Sequence, residues 1–350
     1  MNIRRRWCDL SVCVGALFVG LLWGGSVRAA DAAAHGPATV AEAAKVIDLA
    51  NLPLIKGAEE AKHRSLASVS YNAVNVSSKS AFEFYRKRLT DMKWKELPNG
   101  YSSEQGASGT FARDGYSLSL SVFPTGKPDS ISVMLKNHGN VDLAKLPLPP
   151  GTKPFFGGPT SAAFITEKPV EETSQAVEKL LAAKGWQRYG TAGTSLFFRQ
   201  NAVRLLASIA SAPAQGGKTV LTYSSELMSV ELPAPADTIG LQYSDSAKQL
   251  FFDSKQPKEE IFDFYRQALK KAGWQVTTEA PIQLDFKEAL IFRNAPKAML
   301  TLALHELSDE KGVNRVLLRH QTAAELAEIE RLIKEEKEKQ KLEEEKRKSQ

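Results

Sequence analysis

Three tryptophans, Trp94, Trp186 and Trp274, lie 92 and 88 residues apart, and each closes an amphipathic stretch. A recurrence at that spacing predicts a chain of like modules, each with its own apolar face to bury. Before Trp94, Phe82, Tyr85 and Leu89 fall at i, i+3 and i+7, and before Trp274 so do Phe262, Tyr265 and Leu269. This is the spacing of one helix face. The stretch before Trp186 keeps Val177, Leu180 and Leu181 but lacks the Phe-Tyr-Arg triplet of the other two. Gly185 and Gly273 stand where a helix ends on a left-handed residue.

Other landmarks keep the same order. Each unit opens on a Leu-Pro turn at Leu52-Pro53, Leu146-Pro147 or Leu232-Pro233. Strands are expected next at 68–76, 162–166 and 249–253, followed by the helix and the tryptophan. An aromatic-arginine pair then recurs as Phe111-Ala112-Arg113, Phe198-Arg199 and Phe292-Arg293. It leads into second strands at 118–123, 205–209 and 300–304, and closing strands at 131–135, 220–223 and 316–318. Residues 117–122 alternate polar and apolar, as a half-buried strand does. The module is therefore β-α-β-β, with one further strand just after the tryptophan. Its sheet is mostly antiparallel, and one helix covers one face. The expected class is α+β, with modules at 52–143, 144–231 and 232–322, a linker or short helix at 30–51, and a charged helical tail at 323–350.

Leu52-Pro53, Gly57-Ala58, Phe84-Tyr85, Leu89 and Trp94 form the fullest version of this pattern, with Lys93 in place of the glycine before the tryptophan. The pattern resembles a module of assorted exported bacterial proteins and covers most of residues 52–320. The resemblance implies a compartment and an architecture, and no activity.

The N-terminus points the same way. Arg4-Arg5-Arg6 precedes an apolar run at 10–22, and Val27-Arg28-Ala29 and Ala30-Asp31-Ala32 offer small residues for signal cleavage near Ala29 or Ala32. The expectation is a signal peptide at 1–29 and export to the periplasm or beyond, with no stable membrane span after cleavage. Of the formal charge of +6, three lie in the first 29 residues. The small remainder argues against a nucleic-acid partner. Both cysteines, Cys8 and Cys13, also lie there. The expected mature chain has no thiol for a disulfide, a nucleophile or a Cys-ligated metal.

No motif sits in the context its chemistry needs. Gly216-Gly217-Lys218-Thr219 ends a loose phosphate-loop pattern, but a strand is expected after it where a helix is required. His305-Glu306 opens like a zinc-protease helix and lacks the second histidine. His35, His63, His138 and His320 show no ligand spacing. No catalytic, cofactor or metal residue is assigned, and no cofactor is expected. Arg113, Arg199 and Arg293 recur at one place in all three units. They are candidate contacts for an envelope protein or an anionic polymer, or else arginines whose stems cover aromatic rings. In the tail, Leu326, Ile329 and Ile333 make one short apolar stripe that could dock a partner. The stripe is followed by Glu-Lys pairs at i, i+4 such as Glu330–Lys334 and Glu335–Lys339. These features predict a non-enzymatic exported scaffold or binding protein of the cell envelope. The alternative is a hydrolase-type enzyme whose site is assembled between modules.

Overall fold

A computed structural model describes residues 36–98, 100–284 and 287–348. The expected signal segment and its cleavage sites lie outside these residues. The chain enters through helix α1 (Val40–Val46), which opens on a capping box between Thr39 and Glu42.

The first sheet is built from β1 (His63–Arg64), β2 (Ser68–Val74), helix α2 (Ser78–Asp91), β3 (Lys95–Glu96), β4 (Tyr101–Ser103), β5 (Gly106–Arg113), β6 (Tyr116–Pro124) and β7 (Ser130–Asn137). The second uses β8 (Lys153–Gly157), β9 (Ser161–Thr166), α3 (Val170–Ala182), β10 (Gln187–Ala192), β11 (Ser195–Gln200), β12 (Val203–Ala212) and β13 (Lys218–Leu227). The third uses β14 (Ile239–Ser244), β15 (Gln249–Ser254), α4 (Lys258–Lys271), β16 (Gln275–Val276), β17 (Ile282–Leu284), β18 (Lys287–Arg293), β19 (Met299–Glu306) and β20 (Asn314–Gln321). Helix α5 (Ala323–Lys348) follows. The chain is α+β with three antiparallel sheets of seven, six and seven strands.

The strand order is the same in each: β1-β2-β7-β6-β5-β3, β8-β9-β13-β12-β11-β10 and β14-β15-β20-β19-β18-β16. The sheets are larger than the expected β-α-β-β with one further strand after the tryptophan. A short edge strand, β1, β8 or β14, precedes each predicted first strand. The Phe-Arg pair ends a strand of its own, β5 or β18, and in β11 stands one residue from the end. These strands escape pattern reading for a physical reason. Two-residue β1 has no alternation to show, and all five residues of β8 are exposed, so no buried face imposes a period of two.

Each helix buries its expected face: Phe82, Tyr85 and Leu89 on α2, Val177 and Leu181 on α3, and Phe262, Tyr265 and Leu269 on α4. The left-handed residue after the helix is Gly185 (φ 86°) or Gly273 (φ 82°), and in the first module Lys93 takes it at φ 67°. Trp94 and Trp186 are buried, whereas Trp274 is half-buried at the margin of its core. The Leu-Pro turns have a common role. The Tyr85 hydroxyl donates to the Pro53 carbonyl (3.2 Å), Tyr265 to that of Pro233 (3.1 Å), and Tyr223 to that of Pro147 (3.0 Å). Tyr223 lies on β13, not on a helix. The second sheet thus has the same turn-to-core hydrogen bond, with the phenol supplied from a strand.

Candidate functional site

Two polar regions stand out, one between sheets and one on the uncovered face of the first sheet. The first centres on Asp245, just after β14. Its carboxylate accepts from the Ser229 amide (2.6 Å) and hydroxyl (2.9 Å), the Tyr243 hydroxyl (2.7 Å) and the Ser65 hydroxyl (3.1 Å), and His63 Nε2 lies 3.5 Å away. Ser65 and His63 belong to the β1 edge of the first sheet, Ser229 to the segment after β13, and Tyr243 to β14. Burial alone would raise the Asp245 pKa. Hydrogen bonds from His63, Ser229 and Tyr243 more than offset this and hold it at about 2.

Beside this centre, Glu226 of β13 sits between Arg204 of β12 and Lys136 of β7, so the first and second sheets are tied by an ion triad. Burial works to raise the Glu226 pKa, and the two cations bring it below its ordinary value. Arg204 also donates to the Tyr243 carbonyl (3.3 Å) and lies over the Phe197 and Tyr243 rings at 4.9 and 5.5 Å. His138 bridges the same two sheets through the Ser119 hydroxyl and the Ser225 carbonyl, both at 2.9 Å. Tyr189 of β10 enters the third core, 6.0 Å from the Tyr243 ring, and donates to the Leu232 carbonyl. At the next residue, Gly190 (φ 120°), an added Cβ would fall 2.4 Å from the Leu241 carbonyl oxygen.

Each of the three recurring arginines donates to a backbone carbonyl. Arg113 donates to the Met92 carbonyl at the end of α2 (3.0 Å) and to Val46 (3.4 Å), and pairs with Asp114 at 3.1 Å. Arg199 donates to the Leu232 carbonyl (2.7 Å), and its guanidinium lies 5.2 Å from the Tyr189 ring centre. Arg293 donates to the Lys297 carbonyl at 3.2 Å. The Gly216-Gly217-Lys218 stretch lies in the turn between β12 and β13. His305 is on β19 beside a shallow depression of about 400 Å³ lined by residues including Lys258, Glu288 and Ser308. His320 packs edge-on against Trp274. Among the described residues no group of three or more His, Cys, Asp or Glu is placed to hold a metal, and no helix is long and apolar enough to cross a membrane.

The second region is the face of the first sheet opposite α2. The helix packs on the face of Tyr71, Gly109 and Phe111. The Tyr71 and Tyr85 hydroxyls meet at 2.6 Å, and an added Cβ on Gly109 would fall 2.9 Å from the Phe82 ring. On the other face, residues opposite one another across five strands form a single row, Ser70–Met134–Ser121–Ser108–Tyr101, which His63 of β1 continues beyond Ser70. Next to it runs Asn72–Ser132–Phe123. The polar half of the alternation at 117–122 foreshadowed this surface. Nothing in the sequence foreshadowed Asp245, because its contact with Ser65 spans 180 residues.

A family model described as START domain-like matches residues 238–294, which run from the linker before β14 into the end of β18. No curated protein and no solved structure matches the chain.

Proposed function

We propose that this chain is an exported, non-catalytic scaffold or binding protein of the cell envelope, carrying three copies of one α+β module. The observation that supports this reading is the saturation of the charged groups between the sheets. Asp245 accepts from three hydroxyls and an amide, and Glu226 is clamped by two cations. An ionised carboxylate held this way by structural donors is a poor proton acceptor and serves to hold one sheet on another.

The hydrolase alternative has its best candidate in His63, Ser65 and Asp245. There the Ser65 hydroxyl (3.1 Å) and the Asp245 carboxylate (3.5 Å) face the same ring nitrogen, Nε2. A nucleophilic serine needs the carboxylate on the opposite nitrogen, where it orients the imidazole as a base. The guanidiniums of Arg113, Arg199 and Arg293 already hold backbone carbonyls, so recruiting them to a partner means breaking those bonds. The exposed apolar residues of α5, Ile329, Leu332 and Ile333, remain a second place for a partner to dock.

The test is purification of the exported protein from its host, with N-terminal sequencing, capture of partners from envelope extract, and assay on ester, amide and glycoside substrates. The expected result is a start near Ala30 or Ala33, specific capture and no turnover. Turnover abolished by Ser65→Ala or Asp245→Asn in a protein that still folds would sink the binding reading.

A further inference from the structure

The uncovered face of the first sheet has the properties of a ligand surface. Tyr101, Met134 and Phe123 are 51%, 50% and 43% exposed there, set among serines. The hydroxyls of Ser70, Ser108, Ser121 and Ser132 have no hydrogen-bond partner among the described residues. Between Ser70 and Tyr101 in the first row, and along the second, no member is itself charged. Lys62 donates to the Asn72 side-chain carbonyl at the margin of the second row (2.9 Å), His63 stands beyond Ser70 at the end of the first, and Lys136, in the adjoining row, pairs with Glu226. Phe123 stands close to Gly106, where an added Cβ would fall 2.8 Å from the ring.

Building on the binding reading above, we propose that this face binds a neutral, hydroxyl-rich polysaccharide strand. Four arguments select that occupant. Serine hydroxyls donate and accept at once, and so do the hydroxyls of a sugar. Exposed aromatic faces with a polar rim suit the apolar C–H faces of pyranose rings, which carry their hydroxyls at the edge. One lysine at the margin gives little to a phosphate backbone, which requires several Lys and Arg.

The geometry adds a fourth point. The five-strand row spans about 19 Å at roughly 4.8 Å per strand, with the next row about 7 Å away. A lattice of this spacing matches an extended polymer whose rings advance by about one strand spacing each. A small molecule would need a concave pocket.

The experiment is affinity electrophoresis of the full mature chain in native gels containing hydroxyethylcellulose, with pull-down on chitin beads and polygalacturonate as the anionic comparator. Migration is expressed relative to polymer-free gels. The expected result is retardation by the neutral polymer and retention on chitin, both undiminished by high salt because no ion pairs are involved. The double variant Ser108→Glu/Ser121→Glu should weaken binding at least about tenfold, the size of one or two lost hydrogen bonds. Tyr101→Ala should weaken it without altering thermal unfolding. Gln267→Glu, on the exposed side of α4, adds charge elsewhere and should bind as wild type.

Absence of retardation and chitin retention, or equal binding by the double variant, overturns the proposal. Capture of an envelope protein that the double variant loses would assign the face to a protein. That result overturns the polysaccharide and leaves the binding reading standing. Turnover of a substrate, by contrast, strikes the binding reading itself.

Discussion

Asp245→Asn isolates the charge at the meeting point of the sheets with almost no change in shape. The carboxyl titrates at about 2 in the folded chain against an ordinary 3.8. With about 1.4 kcal/mol for each unit separating two pKa values, the ionised form contributes roughly 2–2.5 kcal/mol to stability. The folded pKa is the lower one, so this contribution is complete above about pH 4–5 and is lost as pH falls towards 2. At neutral pH the variant should therefore unfold about 2 kcal/mol more easily. At about 2–4 °C per kcal/mol for a chain of this size, thermal unfolding should shift down by roughly 4–10 °C. Urea melts of wild type and variant from pH 7 to pH 2 provide the assay, and the two should converge at the acid end. Asp245→Ala should cost more, because the buried Tyr243 hydroxyl and the Ser229 amide then lose an acceptor. A shift under about 0.5 kcal/mol for Asp245→Asn at pH 7, or a difference that does not shrink in acid, would refute the assignment of a stabilising ionised carboxylate at this junction.

Four further outcomes follow from named contacts. Trp94→Ala should destabilise by about 3–5 kcal/mol as a fully buried aromatic, and half-buried Trp274→Ala by clearly less, in denaturant melts. Gly190→Ala should be among the most damaging substitutions between the second and third sheets, because its Cβ meets the Leu241 carbonyl oxygen and its φ is 120°; loss of soluble protein or a large drop in melting temperature is the readout. Deleting residues 326–350 should leave the melting of the sheets nearly unchanged, since Glu325 and its ion pair with Lys248 stay in place and the larger apolar residues removed, Ile329, Leu332 and Ile333, are exposed. Burial holds the His320 pKa down, with Lys248 adding to the effect, at about 4, and its Nδ1 has no hydrogen-bond partner among the described residues. The folded state therefore loses stability as pH falls from 6.5 towards 4, and His320→Gln should flatten that part of the pH–stability curve.

Much of the fold is written in short-range pattern. The i, i+3, i+7 faces of α2 and α4, the glycines after α3 and α4, and the alternation along β6 each follow from one element meeting one core. The Leu-Pro turns were legible as landmarks but not as mechanisms. Their common feature is a buried phenol donating to the proline carbonyl, from Tyr85, Tyr265 and, in the middle module, Tyr223. Two of these tyrosines lie in the helix triplet, which made the middle module look incomplete. The hydrogen bond constrains where an oxygen ends up and leaves open which element brings it, so a strand residue about 40 positions beyond α3 fulfils the same condition. A pattern search over one element misses a substitution of that kind.

The candidate sites divide along the same physical line. Arg113, Arg199 and Arg293 each donate to backbone carbonyls, of Met92 and Val46, of Leu232, and of Lys297. Asp245 and Glu226 belong to contacts between sheets, where Ser65 and Lys136 arrive from distant parts of the chain, so no local window contains those partners; Arg204 alone is near, directly across the β12–β13 hairpin from Glu226. The serine face lies between these cases. Its pattern is local, since Ser117, Ser119 and Ser121 simply alternate with Leu118, Leu120 and Val122, and the ordinary account of such alternation ends with solvent. What the structure adds is the register. It aligns Ser70, Ser121 and Ser108 with Met134 and Tyr101 in one row and places Ser132 beside Phe123 in the next. A solvated sheet face needs no exposed aromatics. Tyr101 and Phe123, with Met134, stand exposed among these serines, and burial in the core does not account for them.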